Sequence, residues 1–90
     1  MKVVWSRLAL GDLDRIQAYL VTQSPRAAER IWVRIVERVS NQAAMPFAAP
    51  LEGNGPTRRL GVTRTPYLVL YRVVGDELRV EALFHTSQDR

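Results

Sequence analysis

The residues of this chain best suited to chemistry are arginines. The stretch RRLGVTRTPYLVLYRV, residues 58–73, holds Arg58, Arg59, Arg64 and Arg72 and no acid, although its second half reads as a buried strand. A guanidinium is a planar fork that grips phosphate, carboxylate or a base edge, and burying one without a partner is prohibitively costly. The cluster therefore either faces an anionic partner or pairs with the chain's own acids, with Glu77, Glu81 and Asp89 as candidates. A second series, Arg26, Arg30, Arg34 and Arg38, recurs every four residues. Like charges at that spacing repel, and Glu29 and Glu37, three residues after Arg26 and Arg34, offset part of the repulsion. The series reads as a solvated helix face before a nucleic-acid stripe, because few aromatics interleave with it to stack on bases.

His85 is the single histidine and stands where the last strand should end, more the place of a hydrogen-bonding residue than of a catalyst. One histidine and scattered carboxylates offer no metal-ligand spacing. The GNG at residues 53–55 has neither the spacing nor the lysine of a phosphate loop, and no nucleophile elbow is present. Neither a metal nor a cofactor is expected.

Ninety residues suffice for one domain, 1–90, with one economical core. The net charge of +4 comes from twelve arginines and one lysine against nine acids. A GC-rich genome can produce that arginine preference unaided, so position carries more information than number. Without cysteine there are no disulfides or thiolate metal sites, which suits a reducing compartment. No apolar run approaches the roughly 20 residues of a membrane helix, and the N-terminus lacks the pattern of a secretory signal. A cytoplasmic location is expected.

The elements that must position these groups follow from periodicity. Lys2 to Trp5 reads as a strand, and Ser6 can cap a helix whose apolar face is Ala9, Leu13, Ile16 and Leu20. Ser24 and Pro25 signal the start of a second helix, with Ala28, Ile31, Trp32, Ile35 and Val39 on one face, running to about Ala44. Trp5 and Trp32 read as core fillers. Residues 45–56 carry three prolines and two glycines and break regular structure. Strands are expected over 57–62, 67–73 and 77–84, with Gly75-Asp76 turning the last two into a hairpin. Strict alternation in the last strand would turn Leu78, Val80, Ala82 and Phe84 to the helices, and Arg79, Glu81, Leu83 and His85 away. The order β-α-α-β-β-β defines an α+β fold: an N-terminal strand, an antiparallel helical hairpin, then a three-stranded antiparallel sheet. One sheet face is left uncovered, and Arg59, opposite in phase to Leu60, should stand on it.

Four segments, VVWSRLALGDLDRIQAYL, SPRAAERIW, RRLGVTRTPYLVLYRV and EALFHTSQD, resemble in their order the RelE/ParE superfamily of bacterial type II toxin–antitoxin modules, a class associated with plasmid stabilisation. The resemblance implies a toxin sequestered by a cognate antitoxin, with Leu13, Ile16, Leu20 and Trp32 on the antitoxin-binding surface and Arg59, Arg64, Arg72 and His85 facing the target. RelE-like members cut mRNA on the ribosome; ParE-like members inhibit DNA gyrase. The nucleases carry a catalytic arginine directly after the central-strand tyrosine, where this chain has Leu68 after Tyr67. They also carry arginine or tyrosine past the last strand, where Thr86, Ser87 and Gln88 stand here. Arg59 matches a basic family position and His85 the terminal histidine of some nucleases, so these two are the candidates if the chain cuts RNA. HTSQD resembles the His-x-Ser-x-Asp ending of several ParE-like toxins, which tilts the expectation towards gyrase. A remnant that only binds antitoxin is the third alternative.

Overall fold

Two serines set the helical boundaries. In the computed structural model, which describes residues 1–88, strand β1 (Lys2–Trp5) ends at Ser6. The Ser6 hydroxyl accepts the Ala9 N–H at 3.0 Å, capping α1 (Arg7–Gln23), and donates to the Glu81 carbonyl at 3.0 Å. Ser24 is the only residue between α1 and α2 (Pro25–Gln42), and it closes one helix while opening the other. Its backbone N–H donates to the Leu20 carbonyl at 2.8 Å, and its hydroxyl accepts the Ala27 N–H at 3.2 Å. Pro25 takes the first-turn position where no donor is needed. Ser24→Ala removes the side-chain cap, so about 1 kcal/mol of stability should go with it. In a domain of this size the thermal midpoint should then fall by about 4–8 °C.

Strands β2 (Arg58–Gly61), β3 (Tyr67–Val74) and β4 (Glu77–His85) complete a sheet of order β1-β4-β3-β2. β2, β3 and β4 pair antiparallel as expected, whereas β1 joins β4 in parallel, so the sheet is mixed. Gly75 turns the β3–β4 hairpin with φ of 60°, a conformation that glycine adopts without steric cost. A short 3-10 turn, Thr86–Gln88, follows β4. No helix among the described residues is long and apolar enough to cross a membrane.

The helices cover one sheet face. Ala9, Leu13, Ile35 and Val39 interlock with Val69, Tyr71, Leu78 and Val80, and Leu20, Ala28 and Tyr67 form a satellite cluster at one end. At the other end a buried polar relay fastens the loop after α2. Tyr71 donates its hydroxyl to the Pro46 carbonyl at 2.6 Å and accepts from Gln42 Nε2 at 3.0 Å, while Gln42 Oε1 accepts from Arg38 at 3.3 Å.

Two expectations fail. Pairing slips between Leu70 and Tyr71, so that Leu70 faces Ala82 while Tyr71 faces Val80, and Glu81 is the extra residue of a bulge. One inserted residue inverts the alternation beyond it. Leu83 therefore enters the core, Ala82 and Phe84 move to the uncovered face with Leu70 and Leu68, and His85 stands on the helix side beside Tyr67. Trp32 is not a core filler: it is 42% exposed, on the flank of α2 away from its arginine row. Trp5 is half-buried and packs against the core as expected.

Candidate functional site

The bulge and the short β1 together leave an open groove at one edge of the sheet. β1 pairs with β4 only from Glu77 to Val80. Beyond that, α1 runs beside the β4 edge and a groove of about 820 Å³ opens between them. Leu8, Ile16 and Tyr19 line it from α1, and Phe84 and His85 line it from β4. Leu8 and Tyr19 are about three-fifths exposed, which is costly apolar surface for a small domain to leave in water. Asp12 crosses the groove: its Oδ2 accepts the outward Leu83 N–H at 3.0 Å, and its Oδ1 pairs with Arg15. A backbone donor that strand pairing would otherwise use is thereby satisfied.

At the end of the groove the Tyr67 and His85 rings meet edge to face, with centroids 5.4 Å apart. Burial, and secondarily Tyr19, push the Tyr67 hydroxyl above its ordinary range, so it remains an O–H donor at neutral pH. The Ser87 N–H lies 3.0 Å from His85 Nδ1, and the Ser87 hydroxyl 2.8 Å from the same atom. An amide N–H can only donate, so Nδ1 is an acceptor and the ring proton sits on Nε2.

The arginines singled out in the sequence do not converge. Arg59 and Arg72 stand on the uncovered face, and both meet the chain's own acids. Arg59 NH1 lies 3.1 Å from Glu52, and Arg72 Nε lies 3.0 Å from Glu81, in an ion pair too poorly aligned to be a hydrogen bond. Arg58 caps the carbonyls of Phe47 and Ala49 at 3.1 and 2.8 Å and lies over the Phe47 ring. Arg64 sits in the β2–β3 turn with φ of 64°, exposed. His85 is on the opposite side of the sheet from Arg59 and Arg72. An open concavity shared by Arg59, Arg64, Arg72 and His85 is therefore absent: Glu52, absent from the candidate acids, and Glu81 draw two of them in, and the bulge turns the histidine away. Asp89, the other acid considered, lies outside the described residues.

The apolar residues expected at a partner surface also divide. Leu13 and Leu20 are 3% and 8% exposed and belong to the core, because their helix face is the one that closes on the sheet. Ile16 is half-buried and reaches the groove, and Trp32 is exposed. Leu8, Tyr19 and Phe84 were missed. Only the position of Tyr19, three residues after Ile16, hinted at them.

The molecule is thus a basic α+β domain with a layer of two helices on a four-stranded sheet and an apolar groove beside an incompletely paired strand, a build suited to holding a polypeptide. A family model described as the ParE toxin of the type II toxin–antitoxin system parDE matches residues 3–90. The chain belongs to that family, within the RelE/ParE superfamily, and is a toxin of the type II class. It is 31% identical over 87 residues to the putative toxin Y4kP of Sinorhizobium fredii, covering 97% of this chain and 90% of the relative. Toxin RelE2 of Caulobacter vibrioides is 30% identical over 87 residues, covering 97% of each chain. A solved structure of the chromosomal ParDE toxin–antitoxin system from P. aeruginosa superposes with a TM-score of 0.83 at 28% identity, covering 94% of this chain and 95% of the other.

Proposed function

We propose that this toxin inhibits DNA gyrase by binding it and is held silent by a cognate antitoxin seated in the groove between α1 and β4. The observation that carries the choice of target is the separation of Arg59 and His85. Cleavage of mRNA needs a proton acceptor and a cation at one phosphate. Here the two candidates for those roles lie on opposite sides of the sheet, and His85 Nδ1 is already committed to Ser87. The missing arginine after Tyr67 points the same way. Of the residues first assigned to the target, Arg59 and Arg72 remain together on the uncovered face, flanking the apolar floor of Leu68, Leu70 and Phe84. Arg64 and His85 belong to other surfaces. The groove suits an acidic, apolar antitoxin segment, because exposed apolar side chains give affinity and the chain's net charge of +4 steers its approach. Both partners are cytoplasmic, so the protein acts there.

The test is a supercoiling assay with purified gyrase and relaxed plasmid, run beside ribosome-programmed mRNA. Loss of supercoiling with intact mRNA is the expected result. Codon-dependent cleavage that disappears in Arg59→Ala would establish the nuclease reading instead, and a folded protein inert in both assays would be the remnant.

A further inference from the structure

We infer that the arginine row of α2, together with Arg64 of the β2–β3 turn, is a binding stripe for the phosphate backbone of duplex DNA. Five guanidiniums are brought together here: Arg26, Arg30, Arg34 and Arg38 on the helix, and Arg64 on the turn. The row winds about 120° around α2 over its three steps, so it slants from the solvent side at Arg26 towards the sheet at Arg38. There it meets the turn. Arg38 Nε donates to the Gly61 carbonyl at 3.1 Å, Arg34 NH1 reaches the Thr63 carbonyl at 3.5 Å, and Arg64 follows in sequence. These contacts position two of the arginines without neutralising them, because a carbonyl takes one of five N–H donors and none of the charge.

What distinguishes this stripe is the clustering of uncompensated charge: among the described residues Arg7 and Arg58 also lack a carboxylate, but only here do five such groups share one helix and the turn beside it. Arg15, Arg59, Arg72 and Arg79 each pair with a carboxylate. Among the described residues, none of the five stripe arginines does. Glu29 and Glu37 lie beside the row on α2 but form no ion pair with it. A helix that sets like charges one turn apart accepts their repulsion, and an array of phosphates would relieve it.

The chemistry of the stripe favours duplex over single strands. Binding of single strands relies on aromatic platforms between the cations. The row is flanked by Ala27, Val33 and Glu37, none of them aromatic, and Trp32 points to the other flank of α2. Contacts would be to the backbone alone and independent of sequence. The row runs about 18 Å along the helix axis. That length spans about five phosphates of one strand at 3.4 Å each. This site is distinct from the antitoxin groove and from the uncovered sheet face.

The experiment is fluorescence anisotropy of the full chain with a labelled duplex of about 20 base pairs and arbitrary sequence, titrated at several salt concentrations. Five neutralised phosphates predict affinity falling about 140-fold between roughly 50 and 150 mM KCl. For Arg26→Gln/Arg30→Gln the fall shrinks to about 20-fold, with affinity weaker at the lowest salt. Both residues are exposed and bond to nothing else, so the fold is spared, which circular dichroism checks. Arg7→Gln, on α1, should behave like the parent. Absence of duplex binding at micromolar protein, or an unchanged salt slope in the double variant, overturns the inference. Tighter binding of a single strand of the same length overturns the duplex assignment. Arginine-dependent capture of a poly-glutamate peptide, with no capture of duplex, would make the stripe a site for an acidic protein instead.

Discussion

Tyr71→Ala should remove about half or more of the protein's stability. Tyr71 is the largest fully buried side chain, in the middle of β3 beneath both helices, and its hydroxyl is fully enclosed with it. Losing a buried aromatic ring costs about 3–5 kcal/mol. A domain of this length holds only about 5–13 kcal/mol in total. The hydroxyl adds a second loss, because Gln42 Nε2 and the Pro46 carbonyl lose their partner. Tyr71→Phe isolates that part. It keeps the packing and should cost about 1–3 kcal/mol, the desolvation penalty of groups left without bonds. Urea unfolding followed by circular dichroism measures both. Equal losses in the two variants would mean that the relay, not the ring, holds the loop after α2 and much of the core with it.

The second large effect concerns neutralisation. Leu8→Asp with Tyr19→Asp should abolish antitoxin rescue while leaving the toxin folded and toxic. Both side chains line the groove and are mostly in solvent, so replacing them removes little core. Leu8 also lies in the first turn of α1, where a carboxylate suits the helix dipole. At an interface the same changes delete two apolar anchors and add charge of the same sign as an acidic antitoxin. Anchors of this kind are worth about 2 kcal/mol each, or about 30-fold in affinity. Titration calorimetry against the cognate antitoxin, beside growth on co-expression, reads the outcome. Affinity within twofold of the parent would show that the antitoxin sits elsewhere.

The β4 wall of the groove depends on the bulge at Glu81. By admitting one extra residue it turns Leu83 inward, moves Phe84 outward and sends His85 to the helix side. No residue at positions 80–83 announces it: there is no glycine or proline, and the apolar content supports either phase. What selects the phase is tertiary. Ser6 holds the Glu81 carbonyl, Asp12 holds the Leu83 N–H, and Glu81 itself is drawn to Arg72 and Thr57. These partners are up to 75 residues away in the chain, beyond the reach of any local pattern.

The sequence alone determined what short-range rules govern. Period-3.6 spacing put Ala9, Leu13 and Leu20 on the buried face of α1, and Ser24-Pro25 set the helical hairpin, because each hydroxyl answers a backbone donor three residues away. Gly75 made its turn, and the β-α-α-β-β-β order followed from where these signals stand. Tertiary structure alone decided which arginines keep their charge exposed and which apolar groups remain in water. Glu52 reaches Arg59 only because the loop before β2 folds back on it, and Trp32 is exposed because it stands at the margin of the α2 face that closes on the sheet. Charge pairing and burial depend on what lies a few ångströms away in space, and in a mixed sheet those neighbours come from opposite ends of the chain.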